Sequence, residues 1–536
     1  MTKYIRHGEK GPASRARGKH VMVAAGWCLL LAMIHCPSRL LANQPTADQI
    51  SQAELLLAQG RVGEAEDLVK KALAGDPRMA RGYELLGRIH DAEQHFAEAQ
   101  SAYQKAIALE PKRAGPHNSL GVSLSRQGQS ERAVSEFKLA LQIDPANLLA
   151  ATNLATVFLH QKDYSQAIKY FGLARAIRPD DPLTLLGLTT AYFFAGDTEK
   201  ALGVAEVLSH LAAAGPPVHF SLGLLLAGNR AYQQAVTEFE IAARDGPPSS
   251  ELFLNLGLAY SHLGKFDRAK EDYFKSIELN SEDATPYVRV GADCLAQGKG
   301  THALAWLMRA VKIDPQRPEA LYLLGSALVD EMYYVTAQVY LGKYVVLQPD
   351  DPKGWLVLGD AYLKDMRLED ALSSYQKAVA LVPQLASAQY LVGYAYYGLQ
   401  DFKNAKKYLL KTLQLDPSYL EAHLRLAEIA YRENKDAEAL EHSQFVLAKR
   451  PNYAEASYNL AKVYVRQRRF DEARKILLDI VQQSPEDPRY HYLLGQLYRR
   501  TGNPEQAKRE LEAYNMLSDA ATFQHRYIRH SFYYVE

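Results

Sequence analysis

The sequence predicts an all-α solenoid of paired helices, because three features recur together every 34 residues. An alanine recurs at this spacing without interruption, from Ala65 to Ala507. Twelve residues before it stands a small residue, which is Gly in nine of the fourteen repeats. Twelve residues after it, Pro follows in eleven repeats. A period of this length accommodates two helices of about 12 to 14 residues and two short turns.

Each half of the repeat has its own signal. The small residue belongs to the first helix and in thirteen of the fourteen repeats follows an apolar residue, which is Leu in eleven. We expect the small side chain to let two backbones approach closely. The alanine belongs to the second helix, and the proline ends that helix because proline cannot continue the hydrogen-bond ladder and disfavours helical geometry in the residue before it.

The pattern resembles that of the tetratricopeptide repeat (TPR) family. One repeat reproduces the family signature, with Tyr in place of its Phe, at Trp355, Leu358, Gly359, Tyr362, Ala371, Tyr375, Ala378 and Pro383. The resemblance implies a right-handed superhelical α-solenoid with fourteen repeats over residues 46–521. The first and last repeats depart from the pattern at Gln49, Gln52 and Asp519. We therefore expect both ends to be caps, with residues 522–536 as a C-terminal capping helix or tail.

Residues 1–42 differ in composition from the repeats and resemble an export signal. Basic residues precede an apolar run over residues 21–34, and Ala42 provides a small residue suited to cleavage. The run is shorter than the roughly 20 residues that span a bilayer. Two interpretations stay open: a cleaved signal peptide with a periplasmic or extracellular protein, or a short uncleaved anchor in the inner membrane. Contact with a membrane is expected only through such an anchor.

The chain without residues 1–42 is mildly acidic. Without residues 1–42, 55 Lys and Arg (62 minus 7) stand against 60 Asp and Glu (61 minus 1). This balance argues against nucleic acid as a partner. Only Cys294 remains of the three cysteines, which excludes an intrachain disulfide, and a small buried side chain is the simplest interpretation of it.

No pattern of catalytic, cofactor-binding or metal-binding residues emerges. The sequence contains neither a phosphate-binding glycine loop nor an H-E-x-x-H motif. His90 and His95 are five residues apart, as are His525 and His530, which is not the spacing that places two ligands on one helix face. We therefore predict a non-enzymatic protein without a cofactor or a metal ligand.

The resemblance implies that positions 2, 5, 9, 12 and 13 of each first helix line a concave groove. Position 5 never holds the Lys that the chaperone-tail clamp of some TPR proteins requires, so a chaperone cofactor is disfavoured. The groove residues that we predict to bind a partner are tyrosines and basic residues, namely Tyr322, Tyr390, Tyr394, Tyr397, Arg425, Arg432, Tyr458, Lys462, Arg466, Tyr492, Arg499 and Arg500. The alternative is that the tyrosines fill packing positions and that Glu428 and Glu455 partly neutralise a solvated basic face.

These features are consistent with two functions. The first is a scaffold or adaptor in the cell envelope or a secretion pathway, which holds other proteins, including an acidic peptide, in the concave groove. The second is a carbohydrate-associated subunit of an exopolysaccharide export or glycosyltransferase assembly, in which the same tyrosines and arginines follow a polysaccharide. Aromatic rings and guanidinium groups serve both ligands, so composition does not choose between them.

Overall fold

A computed structural model describes residues 46–531, and these residues form twenty-eight α-helices and no strand. The expected signal segment at 1–42 lies outside them, as do residues 532–536. The chain divides into two compact units, with the boundary between Ser281 and Glu282. No helix within the described range is both long and apolar enough to cross a membrane.

The first unit contains seven helix pairs. Its helices are α1 (Thr46–Ala58), α2 (Val62–Gly75), α3 (Ala80–Ala92), α4 (Phe96–Leu109), α5 (Ala114–Arg126), α6 (Ser130–Ile143), α7 (Leu148–His160), α8 (Tyr164–Ile177), α9 (Pro182–Ala195), α10 (Thr198–Ser209), α11 (Pro216–Gly228), α12 (Tyr232–Asp245), α13 (Ser250–His262) and α14 (Phe266–Leu279).

The second unit also contains seven pairs. Its helices are α15 (Ala284–Ala296), α16 (Gly300–Ile313), α17 (Pro318–Asp330), α18 (Tyr334–Leu347), α19 (Pro352–Lys364), α20 (Leu368–Leu381), α21 (Ala386–Gly398), α22 (Phe402–Leu415), α23 (Leu420–Arg432), α24 (Asp436–Lys449), α25 (Ala454–Arg466), α26 (Phe470–Gln483), α27 (Pro488–Arg500) and α28 (Pro504–Ser531). The last helix continues past residue 522 without a break.

The predicted all-α solenoid of helix pairs is confirmed within each unit. Within each unit, every odd-numbered helix packs against the even-numbered helix that follows it. The even-numbered helices except α10 also pack closely against the first helix of the next repeat of their unit. First helices of successive repeats also touch, as α3 and α5 do in the first unit and α23 and α25 do in the second. The first helices therefore share one face over most of each unit.

The role of the small residue in the first helix needs a correction. A Cβ atom added at Gly359 would lie 2.4 Å from the Tyr375 ring, and one added at Gly121 would lie 2.7 Å from the Phe137 ring. The nearest atoms thus belong to a side chain of the second helix and not to a second backbone. In these repeats the glycine makes room for a buried ring, and at Gly325 a leucine of the second helix, Leu341, takes the same place. A close backbone is found at Gly257, where an added Cβ would also lie 3.0 Å from the Ala269 carbonyl oxygen.

Candidate partner-binding surface

The twelve predicted groove residues all lie on first helices of the second unit. Tyr322 is on α17, three tyrosines are on α21, and the others are on α23, α25 and α27. From α21 to α27 the first helices of neighbouring repeats contact each other, so residues at equal register positions on these helices follow one another along one face. Arg432, Arg466 and Arg500, for example, occupy the same position in three successive repeats.

Two of the predicted tyrosines pack within the protein. Tyr322 is partly buried with its ring centroid 5.2 Å from that of Tyr344, and burial raises the pKa of Tyr322. Tyr390 is only 6% exposed and lies between Tyr394 and Tyr419, with centroids 5.9 and 5.0 Å away. Both rings pack within their own repeat more than they offer a free face to a partner.

Arg425 connects three repeats. Its guanidinium lies 5.6 and 5.7 Å from the ring centroids of Tyr394 and Tyr397 in the preceding repeat. Its Nη1 donates to Glu428 Oε2 at 2.7 Å, and its Nη2 lies 3.5 Å from Glu455 Oε2 in the following repeat. The Arg425 and Glu428 side chains are 19% and 14% exposed, so this ion pair is largely shielded from water.

Arg466 is held by the turn of the preceding repeat. Its Nη1 donates to the Tyr431 carbonyl at 2.7 Å and to Asn434 Oδ1 at 2.8 Å, and its Nη2 contacts Asp436. The guanidinium also stacks on the Tyr431 ring at 3.9 Å from the centroid. Arg466 therefore connects two repeats and has few donors left for a partner.

Lys462 has a different environment. Its ammonium Nζ lies 5.0 Å from the ring centroids of both Tyr431 and Tyr458, and among the described residues it forms no ion pair. Burial lowers the pKa of Lys462 to about 8, although the nearby Glu428 opposes this shift. The electron-rich ring faces also favour the charged form.

Four of the remaining predicted residues, Arg432, Tyr492, Arg499 and Arg500, are open to solvent, whereas Tyr394, Tyr397 and Tyr458 are partly buried. Arg432, Arg499 and Arg500 are exposed, and none of them forms an ion pair within the described part of the chain. Arg432 lies 5.2 Å from the Phe402 ring centroid. Tyr492 is 44% exposed, with its ring centroid 5.1 Å from that of Tyr514.

Two residues outside the predicted set complete the surface. The charged groups of Lys462 and Arg466 both lie over the Tyr431 ring. The Arg489 guanidinium lies 5.8 Å from the Tyr458 ring centroid. Tyr431 and Arg489 could both have been found from the sequence. Tyr431 occupies position 12 and Arg489 position 2 of its first helix, and both positions belong to the expected groove lining. Cations of one repeat thus lie on tyrosines of the preceding repeat. We call this row the tyrosine–cation band, comprising Tyr394, Tyr397, Arg425, Tyr431, Tyr458, Lys462, Arg466 and Arg489.

Replacing Lys462 should change stability in a pH-dependent way. The pKa of Lys462 is about 8 in the folded protein and close to 10.4 in an unfolded chain, so the unfolded state binds more protons between these values. The destabilising effect of the buried charge is therefore complete below pH 8 and relieved as pH rises through that window. We expect Lys462→Met to raise the free energy of unfolding by about 1–2 kcal/mol at pH 7 and by less at pH 10, in urea titrations.

The exposed Lys475 provides the matched control for this measurement. Lys475→Met should change the free energy of unfolding by less than about 0.5 kcal/mol at either pH. A Lys462→Met protein that is less stable than the wild type at pH 7 would show instead that the two tyrosine rings stabilise the ammonium more than burial destabilises it.

Family comparisons match the helical repeats. Models described as tetratricopeptide repeat match residues 250–283 and 430–497, and a further one matches 49–70 and 488–513. Residues 68–185 match the cytochrome c-type biogenesis protein H TPR domain, and residues 340–434 match the second ARM domain of tetratricopeptide repeat protein 21.

Curated relatives match over short segments. The BBSome complex member BBS4 of Bos taurus is 29% identical over 111 residues, which is 21% of this chain and 21% of that protein. Its Mus musculus counterpart is 32% identical over 93 residues, or 17% of this chain and 18% of that protein. The chain thus spans about a fifth of the length of the curated relatives it matches.

Solved structures with a similar arrangement of helices include the APC/C hetero-tetramer Cut9-Hcn1 (14% identity, TM-score 0.38, 89% of this chain and 94% of that chain). They also include MamA from Desulfovibrio magneticus RS-1 (24% identity, TM-score 0.30, 32% of this chain and 96% of that chain). The repeat families matched here are generally non-catalytic and act as protein-interaction scaffolds. By its 34-residue register, its helix pairs and its family matches, the chain belongs to the tetratricopeptide repeat proteins.

Proposed function

We propose that this protein is a non-enzymatic adaptor that holds an acidic segment of a partner protein along the tyrosine–cation band. The observation that carries the proposal is Lys462, a partly buried cation between two tyrosine rings with no ion pair among the described residues. A carboxylate of a bound peptide would supply the missing countercharge. Charge-assisted contacts of this kind are stronger when water is excluded from them.

The cations near Lys462 divide into two groups. Arg425 and Arg466 are paired with carboxylates of the protein itself and keep neighbouring repeats together. Arg432, Arg499 and Arg500 are exposed and have no ion pair in the described range, and they extend the positive surface along the same first-helix register. These three arginines and Lys462 are the groups that we assign to the partner.

A protein partner explains the surface better than a polysaccharide does. A sugar-binding groove stacks pyranose rings on open aromatic faces, but Tyr390 is buried and Tyr394, Tyr397 and Tyr458 each carry a cation of the protein near the ring. Of the predicted groove tyrosines, Tyr492 is the most exposed. The rings therefore position cations, and the cations select an acidic ligand.

The location of the adaptor is part of the proposal. The basic and apolar segments of residues 1–42 support export, either with cleavage near Ala42 or with an anchor formed by residues 21–34. An exported adaptor would meet its partners in the cell envelope or in a secretion pathway. Proteinase accessibility in spheroplasts, compared with a cytoplasmic marker protein, tests this part separately from the binding surface.

The binding surface is tested with labelled ten-residue peptides of three kinds: rich in Asp and Glu, neutral, and rich in Lys. Fluorescence anisotropy should show binding of the acidic peptides only, weakened by salt. A variant with Gln in place of Arg432, Lys462, Arg499 and Arg500 should bind at least about tenfold more weakly, because truncating one member of a buried charge pair costs about 2–5 kcal/mol.

The matched control removes the same number of positive charges from the first unit. Arg178, Arg244, Arg268 and Lys200 have side chains that are 60%, 71%, 69% and 64% exposed. Their replacement by Gln should leave peptide affinity unchanged. If both variants lost the same peptide affinity, the loss would be an effect of net charge and not of the surface. If the wild type and the groove variant bound the acidic peptide equally well, the proposed surface would be refuted.

A further inference from the structure

The turn inside each repeat brings two side chains together that are five residues apart. The eleventh residue of the first helix faces the residue that directly precedes the second helix. In two repeats this contact is an arginine stacked on a tyrosine: the Arg469 guanidinium lies 4.0 Å from the Tyr464 ring centroid, and that of Arg367 lies 4.7 Å from the Tyr362 centroid. A backbone hydrogen bond closes this turn, with Arg469 N donating to Tyr464 O at 2.9 Å. Residues at these two positions therefore approach each other although they belong to different sides of a turn.

In the second repeat both of these positions hold histidine. His90 lies in the last turn of α3, His95 directly precedes α4, and His95 N donates to His90 O at 2.8 Å. Between them, Gln94 adopts a positive φ of 63°, which reverses the chain. The five-residue spacing excludes a site on one helix face, but it does not exclude a site across a turn.

Glu93 completes a set of three ligating side chains. Its Oε2 lies 3.4 Å from His95 Nδ1 and 3.8 Å from His90 Nδ1, and one ligand atom from each of the three residues lies within 4.8 Å of the others. Bonds of about 2.0–2.1 Å from a tetrahedral ion place its ligand atoms about 3.4 Å apart. The observed separations need only small side-chain rotations to reach that geometry.

His90 supplies a second indication. Its Nδ1 is buried and has no hydrogen-bond partner, since the Glu93 carboxylate is too far away for one. A buried ring nitrogen without a partner destabilises the protein, and an ion at this point would satisfy it. The His95 and Glu93 side chains are 60% and 31% exposed, so an ion could enter from solvent and keep a water ligand.

We propose that His90, Glu93 and His95 bind one divalent first-row transition cation such as Zn²⁺. Two imidazole nitrogens and one carboxylate oxygen suit these cations, whereas Ca²⁺ and Mg²⁺ prefer sites made of oxygen ligands. The site lies in the first unit and is independent of the peptide surface that we propose for the second unit.

The test is calorimetric titration of the untagged full chain with Zn²⁺, together with the visible absorption of bound Co²⁺. We compare the wild type with His95→Gln and Glu93→Gln, because both residues are accessible and neither substitution should disturb the core. Each substitution should lower the Zn²⁺ affinity of this site at least roughly ten- to hundred-fold, because removing an outer-shell partner alone causes a loss of that size. The Co²⁺ spectrum of the wild type should report nitrogen and oxygen ligands and be absent from both variants.

His210 serves as the control, since it is an exposed histidine of the same unit outside this cluster. His210→Gln should bind Zn²⁺ with the same stoichiometry and affinity as the wild type. Comparison between variants also removes the contribution of other histidines of the chain. The proposal is overturned if His95→Gln and Glu93→Gln bind as many equivalents of Zn²⁺ as the wild type, with unchanged affinity.

Discussion

Replacing Arg425 with Met should destabilise the protein by about 3–5 kcal/mol, because removing one member of a buried ion pair leaves the other charge uncompensated. The charge left behind is Glu428, whose side chain is 14% exposed and loses the 2.7 Å contact with Arg425 Nη1. The rings of Tyr394 and Tyr397 lose their cation as well. Urea-induced unfolding followed by circular dichroism measures the change.

The control is Arg432→Met on the same helix. Arg432 is exposed and forms no ion pair in the described part of the chain, so its replacement should change the free energy of unfolding by less than about 0.5 kcal/mol. The double variant Arg425→Met with Glu428→Gln should recover part of the loss, since no buried charge then remains. Wild-type stability in Arg425→Met, combined with lost peptide binding, would make Arg425 a ligand contact.

The fold was predictable because its signals are local and repeated. Each first helix of the second unit begins where the register places it, for example α19 at Pro352 and α25 at Ala454. Fourteen copies of a small residue and an alanine, and eleven of a proline, average out the departures of single repeats. The physical reason for the glycine was less accessible, since only the structure shows the Tyr375 ring beside Gly359.

The sequence predicted only in part which residues of the candidate surface are available to a partner. Register positions placed the basic residues on one face, but their pairing depends on residues about one repeat away. Arg466 meets Asp436 and Arg425 meets Glu455, each thirty residues apart. A search for opposite charges at this separation would have distinguished these arginines from Arg432 and Lys462. The cluster of His90 and His95 was missed because the spacing rule assumed one uninterrupted helix.

The second large effect concerns the pair formed by Gly359 and Tyr375. Tyr375 is fully buried, so Tyr375→Ala should cost about 3–5 kcal/mol through the cavity it leaves. It also removes the donor of a 2.6 Å hydrogen bond to Asp360, a carboxyl whose pKa burial raises. Tyr375→Phe retains the ring and should lose only about 1–3 kcal/mol for the unsatisfied Asp360.

A double-mutant cycle in urea unfolding tests whether the glycine serves the ring, because Gly359→Ala should reverse its effect between two backgrounds. In the wild type a Cβ at position 359 would lie 2.4 Å from the Tyr375 ring, and this overpacking should destabilise the protein by about 1–3 kcal/mol. In the Tyr375→Ala background the space is free, and the same substitution should stabilise the helix by up to about 1 kcal/mol, since alanine is a better helix former than glycine. If Gly359→Ala had the same sign in both backgrounds, the glycine would serve the backbone, as the sequence alone suggested, and not the ring.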